Sequence, residues 1–232
     1  MRWLAFNASP RGKKSNTHVM LEQMRAGMLE ASLEASWEEL FLNRVQEHEA
    51  AVDRLSEADG IVFAYPLYTD SMPGIAVRFL ETLYHRLQLN KRLARPDLPA
   101  AFLVHSGFPE GVHTAHLPDL HRRICRRFGF RYLGTIRKPG SEGVRLMPPT
   151  MQRSLFARLR ESGSMLACGE SLDQGQIDNL VRYERLGPPR QLLLRAGEKI
   201  GIANMYWNRM LKQHHAWDAR FDAPYSQPWG RS

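Results

Sequence analysis

The residues best suited to chemistry lie in a polar stretch, residues 9–17, which reads Ser-Pro-Arg-Gly-Lys-Lys-Ser-Asn-Thr. A phosphate bound there would meet hydrogen-bond donors: the guanidinium of Arg11 and the hydroxyls of Ser9, Ser15 and Thr17. Because a helix is expected to begin at the end of the stretch, its free N–H groups and positive dipole end would add to the attraction. The stretch therefore predicts a phosphate site. The alternative is that Ser15 or Asn16 only caps the helix.

Two other phosphate motifs are excluded by their spacing. Residues 12–15, Gly-Lys-Lys-Ser, lack both the Gly-Lys-Ser/Thr order and the upstream glycine of a P-loop. The GxGxxG fingerprint of dinucleotide-binding proteins is absent from the sequence. The stretch therefore favours a mononucleotide over a tightly bound dinucleotide.

Around this polar stretch, short apolar runs alternate repeatedly with longer amphipathic stretches. The apolar runs predict strands at residues 3–8, 37–42, 60–66, 100–105 and 130–136. The stretches between them predict helices at residues 16–35, 47–57, 73–89 and 116–128. Five strands joined by helices are typical of an α/β three-layer sandwich, with a five-stranded parallel sheet in the order 2-1-3-4-5.

Beyond residue 150 the patterns are helical. They predict helices at residues 151–166, 174–185 and 191–215, followed by an extended tail over residues 218–232. We expect a core over residues 1–150 and a helical C-terminal extension over residues 151–232, packed on the core within a single domain.

Composition indicates a soluble protein. The 232 residues are 43% hydrophobic and carry a net charge of +8, which favours anionic partners. Cys125 and Cys168 lie among apolar neighbours in helical patterns, so buried thiols are expected rather than a disulfide. No apolar run approaches membrane-spanning length, and residues 1–3 lead directly into a strand rather than a signal peptide. We expect a cytoplasmic protein.

Three segments, residues 7–17, 58–73 and 105–110, fall at the carboxyl ends of predicted strands one, three and four. They resemble, in this order, the phosphate loop and two flavin-ring loops of the flavodoxin-like NAD(P)H-dependent FMN reductase and oxidoreductase family. The resemblance covers residues 1–136. It implies a flavodoxin-like fold with FMN bound along the carboxyl-end rim of the sheet.

Carried over position by position, the resemblance implies contacts with FMN. Around the phosphate it places Ser9, Arg11, Ser15, Asn16 and Thr17. Beside the ring it places Pro66, Leu67, Tyr68, Thr69 and Met72, with Ser106, Gly107 and Phe108 on the neighbouring loop. It implies no catalytic acid or base, because the flavin carries the chemistry.

The resemblance implies an FMN-dependent oxidoreductase that passes two electrons from NADPH or NADH to a small acceptor such as a quinone, a free flavin or a nitroaromatic compound. A homodimer or higher homo-oligomer is expected. The alternative is a protein of the same fold that binds flavin weakly or not at all and acts as a carrier or interaction protein. Residues 40–50 contain no cysteine, so the iron–sulfur centre of some family branches is not expected.

Two further clusters lie near predicted strand five. His113, His116, Asp119 and His121 lack a metal-binding pattern, so surface or helix-capping histidines are expected and no metal is assigned. Arg122, Arg123, Arg126 and Arg127 raise nucleic-acid binding as a second alternative. A solvated basic helix face explains these arginines with fewer assumptions.

Overall fold

A parallel sheet forms the centre of the protein. The computed structural model describes residues 1–90, 95–172, 175, 188–199 and 204–222. The strands of its sheet are β1 (Arg2–Asn7), β2 (Ser36–Phe41), β3 (Gly60–Pro66), β4 (Leu98–His105) and β5 (Phe130–Lys138). All neighbouring strands are parallel and the order is β2-β1-β3-β4-β5, so the predicted topology is confirmed.

The middle of the sheet is buried on both faces. All seven residues of β3 are buried, as its continuous apolar sequence predicts. Phe63 of β3 contributes to the core on one face, and its neighbour Val62 contributes to the core on the other. Two helical layers must therefore cover the sheet.

These layers are formed by five helices: α1 (Asn16–Ala31), α2 (His48–Asp53), α3 (Gly74–Leu89), α4 (Leu117–Phe128) and α5 (Pro149–Ala167). Met20 of α1 and Leu159 of α5 share the core of Val62. Val52 of α2, Phe79 of α3 and Cys125 of α4 share the core of Phe63. The three-layer sandwich is thus confirmed.

Several element boundaries differ from the sequence prediction. Helix α1 ends at Ala31 rather than residue 35, because residues 32–35 form a turn in which the Ala35 amide donates to the Ser32 carbonyl. The helix predicted at residues 47–57 is the short α2 between two 3₁₀ turns. Strand β5 continues to Lys138 because its pairing with β4 extends to His105.

The chain divides into two compact units, Met1–Glu184 and Arg185–Ser232. Helix α5 lies in the first unit and packs against α1. In the second unit, two helices, α6 (Pro188–Lys199) and α7 (Met205–Gln213), replace the single predicted stretch over residues 191–215.

Two predictions for the C-terminal region have different outcomes. Except for residue 175, the helix predicted at residues 174–185 lies outside the described residues. The predicted extended tail is wrong over residues 218–222, where the Arg220 amide bonds the Trp217 carbonyl and the Asp222 amide bonds the Ala219 carbonyl in turns. Residues 223–232 of the predicted tail lie outside the described residues.

Both cysteines are free thiols, as expected, but only one is buried. Cys125 of α4 is 2% exposed and packs in the core. Cys168 is exposed, contrary to the prediction, because it follows the last residue of α5 where the chain leaves the helix. Among the described helices, none combines the length and the apolar character needed to cross a bilayer.

Candidate functional site

The loop after β1 is shaped by hydrogen bonds to its own main chain. The Ser9 amide donates to Asn7 Oδ1 at 2.9 Å, and Gly12 adopts φ of +51°, a conformation that glycine reaches without a Cβ penalty. Ser15 caps α1: its Oγ accepts from the His18 amide at 3.1 Å and donates to the Gly12 carbonyl at 2.6 Å. The loop therefore enters α1 in a fixed conformation.

A buried carboxylate lies beneath this loop. Glu39 of β2 accepts from Asn7 Nδ2 at 2.7 Å and lies 2.7 Å from His18 Nδ1. Burial raises the pKa of Glu39, and its bonds with Asn7 and His18 act in the opposite direction. Glu39 thus joins the end of β1 to the first turn of α1, a link that the sequence reading missed.

The loop encloses a cavity of about 90 Å³ at the carboxyl end of the sheet. Its lining combines residues of four loops: Ser9, Arg11, Ser15, Asn16, Pro66, Leu67, Tyr68, His105, Gly107, Ser141 and Glu142. Whole-ligand pockets are typically about 300 Å³ or larger. The cavity is therefore phosphate-sized, and a larger ligand would have to extend over the open rim.

Free donors converge on this cavity. Within the described residues, the guanidinium of Arg11 and the hydroxyl of Ser9 have no hydrogen-bond or ion-pair partner. The same holds for the amide of Asn16, another lining residue, in the first turn of α1, where helices leave N–H groups unsatisfied. Together these groups can bind an anion.

Three of the five residues predicted around the phosphate use their side chains elsewhere. Ser15 caps α1, and Asn16 Nδ2 donates to the Ser141 carbonyl at 2.8 Å. Thr17 is fully buried, with its hydroxyl 2.8 Å from His105 Nε2, and does not line the cavity. Asn16 can bind an anion through its amide rather than its side chain.

On the second loop, Pro66, Leu67 and Tyr68 line the cavity as a group. The Leu67 amide donates to the His105 carbonyl at 2.7 Å, which joins this loop to the end of β4. Thr69 is in a left-handed turn with φ of +48° and does not line the cavity. Met72 packs against the core instead.

On the third loop, only Gly107 of the three predicted residues lines the cavity. Ser106 is buried and its hydroxyl donates to the Phe108 carbonyl at 3.0 Å. Phe108 is 65% exposed, with its ring 5.3 Å from that of His113. The structure therefore gathers eight of the thirteen predicted residues around one cavity and leaves Thr17, Thr69, Met72, Ser106 and Phe108 outside its lining.

A comparison with known families identifies the chain. The model of the NADPH-dependent FMN reductase family matches residues 1–117, which include the first three cavity loops. The chain belongs to this family. It is therefore an NAD(P)H-dependent flavin oxidoreductase with FMN as its cofactor. No curated protein matches the sequence.

Solved structures share the reductase's fold. An FMN-dependent NADH-azoreductase from Bacillus anthracis, in complex with FMN, is 14% identical with a TM-score of 0.54, covering 72% of this chain and 100% of that chain. An apo NADH:FMN oxidoreductase is 19% identical with a TM-score of 0.54, covering 83% and 98%. An NAD(P)H:quinone oxidoreductase from Methanothermobacter marburgensis is 18% identical with a TM-score of 0.52, covering 72% and 96%. At these identities the likeness concerns the fold alone.

The sequence reading missed three residues that line the reductase's cavity: His105, Ser141 and Glu142. His105 ends β4, and the other two follow β5, so all three lie at the carboxyl ends of strands. That position was the available signal, because ligands of open parallel sheets bind there. Glu142 is the one carboxylate among these lining residues, and its negative charge disfavours the binding of an anion.

Among the described residues, the histidines that are close in sequence near α4 have separate environments. His121 is fully buried, contrary to the prediction of a surface or capping role, and bonds Tyr65 Oη at 2.6 Å and Thr135 Oγ1 at 2.8 Å. His113 instead lies 2.8 Å from Asp70 Oδ1. A different group of described residues, His18, Glu22 and Glu39, has ligand-type atoms within 4.8 Å of one another. Its hydrogen bonds and the Glu22–Arg25 ion pair account for that arrangement.

Two of the four arginines of α4 have partners among the described residues. Arg122 pairs with Asp119 at 2.7 Å and lies 5.2 Å from the Tyr132 ring centroid. Arg127 lies 4.7 Å from the centroid of Tyr84. These contacts are compatible with the solvated basic helix face that the sequence favoured over the alternative of nucleic-acid binding.

Proposed function

We propose that the reductase holds the FMN phosphate in the cavity at the start of α1 and passes two electrons from NAD(P)H to a small acceptor, such as a quinone, a free flavin or a nitroaromatic compound. When bound, FMN supplies the redox chemistry, because its ring takes two electrons from a nicotinamide and passes them on. The observation that carries the proposal is the convergence of unpartnered donors, led by Arg11 and Ser9, on a phosphate-sized cavity.

In this proposal the phosphate would accept hydrogen bonds from the Arg11 guanidinium, the Ser9 hydroxyl and the Asn16 amide. Leu67 and Tyr68 would hold the flavin ring at the rim. Tyr68 is 48% exposed, so an aromatic face is available there. Within the described residues the Gly107 amide makes no hydrogen bond, and it can donate to the ring edge.

Donors near a flavin ring favour its reduced form, which carries negative charge near N1 and the adjacent carbonyl. The chain therefore needs to orient and stabilise the cofactor rather than to supply a catalytic acid or base. We also propose that the reductase is a homodimer or higher homo-oligomer, as its family resemblance implies.

The proposal is tested with the full-length protein. FMN is added, unbound flavin is removed, and the visible spectrum is recorded before and after anaerobic addition of NADPH or NADH. We expect a protein-bound flavin spectrum that bleaches with the nicotinamide and recovers when a quinone, free flavin or nitroaromatic compound is added. Bound flavin that is not bleached would indicate a carrier instead, and absence of bound flavin would refute the proposed site.

A further inference from the structure

A buried histidine connects three of the loops that surround the cavity. His105, the last residue of β4, is 6% exposed. Its Nε2 lies 2.8 Å from Thr17 Oγ1 in the first turn of α1, and its Nδ1 lies 2.8 Å from Ser141 Oγ in the loop after β5. Among the described residues, no other side chain at the end of β4 bonds both to the first turn of α1 and to the loop after β5.

The protons in this chain of hydrogen bonds can be assigned. Ser141 Oγ donates its one hydrogen to the Ser106 carbonyl at 2.9 Å, so it must accept from His105 Nδ1–H. A neutral imidazole protonated at Nδ1 has a lone pair at Nε2, which accepts the hydroxyl hydrogen of Thr17. The neutral ring therefore fixes the orientation of both hydroxyls.

The surroundings keep this ring neutral. Burial, assisted by the nearby ammonium of Lys138, lowers the pKa of His105 to about 4. Two charged side chains, Arg11 and Glu142, line the adjacent cavity. At neutral pH His105 thus acts through hydrogen bonds rather than through charge.

We propose that His105 is a positioning residue for the phosphate of the flavin. Its bond to Thr17 holds the first turn of α1, and with it the unpartnered amide of Asn16, at the cavity. Asn16 adds a second bond between this turn and the loop after β5, because its Nδ2 donates to the Ser141 carbonyl at 2.8 Å. This inference rests on the proposed function, since it assumes that the phosphate binds in this cavity.

Riboflavin lacks the phosphate, so comparing its affinity with that of FMN distinguishes a loss of phosphate positioning from a general loss of stability. The quantity to measure is the ratio of the riboflavin Kd to the FMN Kd. His105→Asn keeps an amide near the position of Nδ1 and removes the acceptor of the Thr17 hydroxyl. We expect this variant to bind FMN about tenfold more weakly, with riboflavin affinity unchanged, because one hydrogen bond is lost.

Three further variants sharpen the test. Thr17→Val removes the hydroxyl at nearly constant volume and should lower the Kd ratio as His105→Asn does. The two changes combined should lower it no further, because they remove the same bond. His105→Gln places an amide oxygen near the position of Nε2 and should restore part of the ratio.

His121→Asn is the matched control, because His121 of α4 is also buried and bonded at both ring nitrogens but does not line the cavity. It should lower the melting temperature and leave the Kd ratio as in the wild type. An unchanged ratio in His105→Asn, or equal losses of riboflavin and FMN affinity, would refute the positioning role alone. A wild-type protein that binds FMN no better than riboflavin would refute the phosphate site, and the positioning role with it.

Discussion

Gly27 of α1 lies against the main chain of Arg160 of α5. A Cβ atom at Gly27 would be 1.9 Å from the Arg160 carbonyl oxygen, and one at Gly163 of α5 would be 1.9 Å from the Met24 carbonyl oxygen. The two helices therefore touch through glycine on both sides. Because α1 also supplies the first turn at the cavity, this contact supports the helix that carries the site.

Gly27→Ala is expected to destabilise the reductase strongly. The obstructing atoms belong to the main chain of α5, so the helices must separate to admit a methyl group. Overpacking of this kind costs about 3 kcal/mol, and a protein of this size loses roughly 2–4 °C of melting temperature per kcal/mol. Calorimetry checks this expectation. Gly74→Ala is the control, because a Cβ at Gly74 meets nothing within 4 Å.

Arg11→Met should weaken FMN binding about tenfold or more and leave riboflavin binding unchanged. The guanidinium has no partner within the described residues, so its removal breaks no internal bond, and methionine retains much of the aliphatic volume. Fluorescence titration with each flavin measures both affinities. Arg44→Met is the control, because Arg44 pairs with Glu47 at the surface and does not line the cavity. Equal loss of both flavins in Arg11→Met would contradict the phosphate contact.

Stability is expected to fall as the pH is lowered from about 6.5, the ordinary pKa of histidine. In the folded protein the pKa of His105 is lowered to about 4 and that of His121 to about 3, chiefly by burial. As the pH falls, the unfolded chain therefore takes up these protons before the folded protein does. Each histidine then lowers the free energy of unfolding by about 1.4 kcal/mol for each pH unit, until the pH reaches its folded pKa. Melting temperatures between pH 7 and pH 4 measure the slope.

Glu39 has the opposite effect on stability as the pH falls, because burial raises its pKa and the folded state binds its proton first.

Comparing the wild type with His121→Asn isolates the contribution of one histidine. This variant should show a shallower pH slope from a lower starting stability. An identical slope would show that His121 does not contribute.

The two cysteines should differ in reactivity towards a thiol reagent. Cys168 is exposed, whereas Cys125 is buried and has its pKa raised to about 12 by burial. Under native conditions we expect one thiol to be modified per chain, and two after denaturation. Peptide mass spectrometry identifies the modified residue. Modification of Cys125 at the native rate of Cys168 would contradict the packing of α4 against the sheet.

Most of the fold could be predicted because its signals are local. The apolar run of β3 indicates a strand buried on both faces, and the alternation with helical patterns indicates parallel connections. Boundaries such as the end of α1 at Ala31 depend on a turn that no distinct residue pattern in the sequence marks. The exposure of Cys168 likewise depends on where α5 ends.

The donor-rich stretch at residues 9–17 could be located from the sequence alone, because its donors are contiguous and lie where a strand passes into a helix. Which of those donors are free depends on the contacts made in the folded chain. Ser15, Asn16 and Thr17 bond to their own loop or to residues up to 125 positions away, which leaves Arg11, Ser9 and main-chain amides for an anion. The physical reason is that a hydrogen bond between distant residues depends on how strands bring their ends together, and no spacing along the chain encodes that distance.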